Sequence, residues 1–246
     1  MDRIETAQLI SKQSRIVTRE QLAQFPTPVG SSTWRPVPHG ELVSTLGEEL
    51  GRIDLGIERE QLAVSKNGLA LFGALDLSQG GGLPRGRAMA LGFRHSNDKA
   101  LAVQLVGGAR VFVCDNLALS GEKVALHKHS RGLHLRALLR EGLQRWLGAA
   151  ARFEASIVDA EARPLTDDEA KVALFDLRYQ GVLPVSIFDE AATNYFKAET
   201  LGYEDSAPRT AWGLHNAATR AVKALAPASQ FRVLTGLGRA FGLGDK

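Results

Sequence analysis

A chain of 246 residues is long enough to bury one large core, and with 44% apolar and 23% charged residues it has the composition of a folded domain, not of a disordered one. The formal net charge is only +3, and the single cysteine, Cys114, excludes an intramolecular disulfide or a cysteine-rich zinc site and suits a reducing compartment. The opening residues lack the apolar core of a signal peptide, and no window approaches the roughly 18 consecutive apolar residues of a membrane span, so the expectation is a soluble cytoplasmic protein with no membrane partner.

Residues 1–38 end in a proline-rich stretch, 25–38, that opposes regular structure and predicts an extended arm. Residues 39–52 then read as a helix, with Leu42, Val43, Leu46 and Leu50 on one stripe and Gly51 at its end. Beyond them, runs 57–65 and 69–77 flank Lys66, Asn67 and Gly68. Asn-Gly between two such runs is a strong hairpin signal, because both residues accept positive φ. A glycine-rich loop, 78–86, leads to a second hairpin over 87–116, with Asn97-Asp98 as one turn and Gly107-Gly108 as another. Its β-branched and aromatic content predicts central antiparallel strands.

Residues 131–147 return to helical spacing, with Leu135, Leu138, Leu139, Leu143 and Trp146 on one side and Arg136 and Arg140 on the other. Further on, Thr166 with Glu169 three residues later is a capping box, which predicts a helix over 167–180. Helices are also expected over 189–201, 209–225 and 230–241. The fold class is therefore α+β: an antiparallel β-hairpin sheet packed by a long basic helix, with a helical C-terminal portion. The expected organisation is an arm (1–38), an α+β core (39–150) and a helical portion packing on it (151–246).

The charge is local. Residues 121–140 hold five cations, Lys123, Lys128, Arg131, Arg136 and Arg140, against the single anion Glu122. Cations on a strand end and one helix face can follow a phosphate backbone, gaining affinity by counterion release. Other candidates for chemistry are weaker. His95, Ser96 and Asp98 are the parts of an acyl-transfer triad, but adjacent strand residues face opposite ways and Asn97-Asp98 is ordinary turn chemistry. His127 and His129 have a spacing that a metal could use, though without a companion carboxylate or a recognised metal-ligand spacing. Cys114 lies in an apolar strand, where a thiol is usually inert. The glycine-rich stretches make neither a phosphate loop nor a dinucleotide fingerprint, so no cofactor is expected.

The run 91–99 (LGFRHSNDK), with Arg94, Ser96, Asn97, Asp98 and Lys99, is followed by 108–121 (GARVFVCDNLALSG), with Cys114, Asp115 and Asn116. Together with Lys128 to Arg131, Trp34 before Pro36 and Pro38, and the run 210–219 containing Trp212 and Asn216, these segments resemble domain-of-unknown-function family 932, the phage/plasmid-like proteins. His95 stands where that family would carry asparagine, and His215 where it would carry tyrosine. The resemblance implies carriage on a mobile element and supplies no reaction. In topology alone, a hairpin sheet followed by a basic helix is also similar to the core of single-strand annealing proteins.

The leading expectation is a non-enzymatic, oligomer-prone protein that binds single-stranded nucleic acid in mobile-element DNA metabolism. Arg110, Lys123, Lys128, Arg131, Arg136 and Arg140 would contact phosphates, and Trp34 or Phe112 would stack on bases. The alternatives are a metal-dependent enzyme using His95, Asp98, His127 and His129, and a protein-interaction module of a phage or plasmid operon.

Overall fold

The two hairpins read from the sequence form the middle of an antiparallel sheet. The computed structural model describes residues 14–78, 87–111, 116–202 and 208–244, so the glycine-rich loop, Phe112, Cys114 and Asp115 lie outside the described residues. Seven strands are present among those described: β1 (Ser14–Val17), β2 (Gly56–Ser65), β3 (Ala70–Ser78), β4 (Arg87–Ser96), β5 (Val103–Val111), β6 (Asn116–Leu119) and β7 (Ala125–His127). The order β1-β2-β3-β4-β5-β6 is a meander, with every neighbour antiparallel. β6 pairs with one stretch of β5 (Gly108 to Val111) and β7 with another (Val103 to Leu105), so the two short strands share one edge.

Eight helices accompany the sheet among the described residues: α1 (Arg19–Leu22), α2 (His39–Gly51), α3 (Leu135–Ala162), α4 (Asp167–Tyr179), α5 (Val185–Phe196), α6 (Ala198–Leu201), α7 (Ala211–Val222) and α8 (Pro227–Ala240). None is long and apolar enough to cross a membrane. Both faces of the sheet are covered, which explains why β3, β4 and β5 are buried almost residue for residue without polar alternation. On one face Leu71, Leu91, Phe93 and Leu105 pack with Leu46 and Leu50 of α2 and with Leu139, Leu143 and Trp146 of α3. On the other, Ala74, Ala90 and Val106 meet the C-terminal helices through Leu174, Ile187, Leu214, Phe231 and Leu234. α7 is enclosed on nearly all sides.

Several expectations change. Gly107 and Gly108 make no turn; they sit inside β5, opposite Leu91 and Ala90. Their role is close approach, since a Cβ on Gly107 would come within 2.0 Å of the Trp146 ring and one on Gly108 within 2.3 Å of the Ala118 carbonyl oxygen. At the first hairpin only Gly68 has positive φ (74°). Asn67 acts through its side chain, whose Oδ1 accepts from Ser65 Oγ at 2.6 Å and from the Leu69 amide at 3.2 Å. Part of the arm is regular, with β1 at the sheet edge and α1 closed by a Thr18–Gln21 capping box.

The basic helix begins at Leu135, not at residue 131, and runs on to Ala162, because Ala149, Phe153, Ile157 and Ala160 continue its buried stripe past Gly148. The expected boundary at residue 150 therefore falls inside one continuous helix. α4 starts where its capping box predicts, whereas α5 begins earlier than expected, directly after Pro184, and is separate from the short α6.

Candidate functional site

The turn after β4 is closed by its own side chains. Ser96 Oγ donates to Asp98 Oδ1 (2.6 Å) and accepts from the Leu101 amide (2.8 Å), while Asp98 Oδ1 also accepts from the Ala100 amide (2.9 Å). The Ser96 hydrogen bond holds the Asp98 carboxyl below its ordinary range. With Ser96 and Asp98 occupied in this way, His95, Ser96 and Asp98 form no nucleophile–base pair. Lys99 follows with φ 67°, which turns the chain back toward β5.

Asn97, buried in the same turn, grips the arm. Its Oδ1 accepts from the Val37 amide at 3.0 Å, its Nδ2 donates to the Val37 carbonyl at 2.9 Å, and its own amide donates to Leu69 O at 2.7 Å. The arm is fastened again where Trp34 bridges to Ser130, with the Arg35 amide donating to His129 O and the Arg131 amide to Thr33 O.

Three imidazoles lie beneath this junction. A carbonyl can only accept, so His39 Nε2 donates to Gly68 O (2.9 Å), and His39 Nδ1 must then accept from His95 Nε2 (2.8 Å). The His95 and His129 ring centroids are 5.3 Å apart, and His129 Nδ1 donates to Arg35 O (3.3 Å). His95 Nδ1 and His129 Nε2 are left buried without a hydrogen-bond partner. Burial lowers the pKa of all three, that of His95 furthest because it is the most deeply buried, with repulsion from His39 and His129 adding to the effect.

His129 also lines a surface cavity of about 520 Å³, together with Trp34 from the arm, Lys99 to Ala102 from the β4–β5 turn, and Lys128 and Ser130 from the segment after β7. Lys99 Nζ lies 5.0 Å from the Trp34 ring centroid, within cation–π range. Lys99 and Lys128 are exposed and make no ion pair among the described residues. No carboxylate is found among the described residues that line the cavity.

The remaining cations do not share one surface. Arg110 is fully buried, with Nε donating to Asp76 at 2.9 and 3.2 Å and Nη2 to Gln61 at 3.3 Å, so it cannot serve as a surface phosphate contact. Arg136 and Arg140 are exposed but engaged. Arg136 bridges Glu49 (2.7 Å) and Glu48 (2.5 Å), and Arg140 Nε donates to Glu49 (2.8 Å). The basic face of α3 thus closes against the acidic face of α2. Arg140, then Arg136, hold the buried Glu49 carboxyl below its usual range against the opposing effect of burial. Lys123 lines a different cavity, against α8. Arg131 is exposed directly after Ser130.

Asn116, Trp212 and Asn216 are all buried around α7, where Asn116 Nδ2 donates to Asn216 O (3.2 Å) and Trp212 stacks on His215 with centroids 5.0 Å apart. They are packing residues there. His127 turns its Nδ1 to Lys128 O at 2.5 Å, whereas His129 points inward, so the two do not form a pair. Among the described residues no three His, Cys, Asp or Glu side chains are grouped so as to hold a metal.

The sequence pattern did not reveal His39 as a partner of His95, because 56 residues separate them. Nor did it reveal Arg87, buried between Glu154 and Glu161 of α3. No family model, curated protein or solved structure matches the chain.

Proposed function

We propose that this protein binds single-stranded nucleic acid in the arm cavity and performs no chemistry on it. The observation that carries the reading is the pairing of a half-buried Trp34 with two lysines, Lys99 and Lys128, around one concavity whose described lining holds no carboxylate. An aromatic face flanked by cations suits a base and its adjoining phosphates, because stacking tolerates any base while the charge follows the backbone. Lys99 already occupies the position over the ring that a base would take, and its flexible stem can swing to a phosphate without backbone movement. Arg131, one residue beyond the cavity wall, extends the cationic path. A role in mobile-element DNA metabolism is part of the same proposal and rests on the sequence resemblance alone, which implies carriage on a mobile element and supplies no reaction.

Fluorescence anisotropy with a labelled single strand at low and moderate salt tests the reading. Binding is expected at low salt, to weaken as salt rises, and to be reduced by Trp34→Ala. Absence of binding at low salt, or binding indifferent to salt and to Trp34, refutes it.

A further inference from the structure

A second cavity, separate from the arm site, lies where the β4–β5 hairpin meets α8. It has a volume of about 240 Å³, and its lining includes Arg94, Lys123, Arg232 and Arg239, with no carboxylate among the described residues. The two arginines of α8 share one helical face with Thr235 and Gly236, at spacings of three, four and seven residues from Arg232. Gly236 keeps the wall low, since even a Cβ there would touch Val182 at 3.1 Å.

Arg94 is the informative residue. The two fully buried arginines are matched by carboxylates: Arg87 by Glu154 and Glu161, and Arg110 by Asp76. Arg94 is half-buried with neutral partners only. Its Nε donates to Gln104 Oε1 at 3.1 Å and its guanidinium lies 5.0 Å from the Phe231 ring centroid. Neither Nη group donates a hydrogen bond among the described residues. Burial lowers its pKa with no opposing carboxylate. The buried Gln104 and the Phe231 ring thus fix the plane of the fork and leave its two terminal amino groups for a ligand in the cavity. The cavity volume lies below the roughly 300–1,000 Å³ of pockets for drug-sized ligands, which favours a small group, and the four cations in its lining favour an anionic one.

We propose that this cavity is a phosphate site, in which Arg94 binds a phosphate dianion through its Nη groups and Lys123, Arg232 and Arg239 complete the neutralisation. The phosphate is either free or the terminal monoester of a larger molecule. Isothermal titration with sodium phosphate, in a low-salt buffer of a bulky zwitterion, tests it. Saturable one-to-one binding is expected, with a rise in melting temperature that sodium chloride of equal ionic strength does not reproduce. Arg94→Gln and, independently, the exposed Arg232→Gln should each weaken phosphate binding about tenfold or more, the usual effect of losing a charge-assisted hydrogen bond.

Trp34→Ala should leave phosphate binding unchanged, which separates this site from the arm cavity. A 5′-phosphorylated oligonucleotide that outcompetes its 5′-hydroxyl counterpart, with the advantage lost in Arg94→Gln, assigns the phosphate to a nucleic-acid end. Equal competition by the two, with inorganic phosphate still bound, assigns it to a small compound. No binding of phosphate, or binding untouched by both folded variants, overturns the proposal.

Discussion

The α2–α3 seam and the arm cavity draw their cations from one short stretch of chain and use them in opposite ways. At the seam Arg136 and Arg140 are closed onto Glu48 and the buried Glu49, and their charge is consumed in holding two helices together. At the cavity Lys128, with Lys99 from the neighbouring turn, faces solvent beside an indole and has no acidic partner among the described residues. A run of positive residues in sequence is therefore not a basic surface. Glu48 and Glu49 lie about 90 residues upstream, and only the fold reveals that they cancel half of the run's apparent charge.

The contrast depends on the arm staying fastened, so the largest effect should come from Asn97→Ala. That change strips both hydrogen bonds from the backbone of Val37, a buried position, and leaves its amide and carbonyl unsatisfied. A loss of about 2–4 kcal/mol in stability is expected by denaturant titration, with accelerated hydrogen exchange across residues 31–37. Unchanged exchange in the arm would mean that the turn does not hold it. Next in size, Trp34→Ala should cost about 1–3 kcal/mol of single-strand binding by anisotropy while leaving stability nearly intact.

The seam gives the converse test. Glu49→Gln should lower stability by about 1–2 kcal/mol, less than for a fully enclosed ion pair because the arginine side chains are nearly half exposed. Combined with Glu48→Gln it frees both arginines of α3, and Arg52 beside them, and should strengthen non-specific single-strand binding. If the double variant binds no better than the parent, seam charge is not what keeps α3 from nucleic acid.

Much of this architecture was legible in the sequence, for identifiable reasons. Asn67-Gly68 and the Thr166–Glu169 box are local devices, and local hydrogen bonds placed the first hairpin and α4 close to where the pattern puts them. Failures occurred where a residue serves a distant partner. Gly107 and Gly108 look like a turn because glycine favours turns, but here the missing side chains admit Trp146 and the Ala118 backbone. Arg110 looks like a phosphate contact because it is a cation on a strand, yet Asp76, two strands away, encloses it. The candidate site was legible as single residues, Trp34, Lys99 and Lys128 among them. Its assembly was not, since it joins three segments through the reach of Asn97 to Val37 and the bridge from Trp34 to Ser130.

Acid should loosen the arm cavity before it affects the seam. His39, His95 and His129 have folded-state pKa values below the ordinary histidine value, and His215, buried beside Trp212, is pushed down to about 4. Above about pH 6.5 these groups are neutral in both folded and unfolded chains and stability is flat with pH. Below it the unfolded chain takes up protons that the folded one refuses, so stability declines as pH falls, until the folded-state values are reached. At the seam the arginines hold the Glu49 carboxyl below its ordinary range, so it is still ionised at pH 5.5. Hydrogen exchange at pH 5.5 should therefore rise in residues 31–37 more than in α2, and equal protection in the two would dissociate the histidine cluster from arm docking.

The smallest expected effect is the most direct comparison. Lys128→Gln should weaken single-strand binding modestly and lower the salt dependence, the slope of log affinity against log salt, by about 0.7, the share of one phosphate contact on a single strand. Arg140→Gln removes the same formal charge from the same stretch of chain, but its guanidinium is already neutralised by Glu49, so the slope should stay where it is while stability falls slightly. Both side chains are exposed, so neither substitution perturbs a core and the difference between the slopes isolates what the partner carboxylate does. Equal slopes for the two variants would mean that binding responds to overall charge alone, and the arm cavity would lose its claim to be the site.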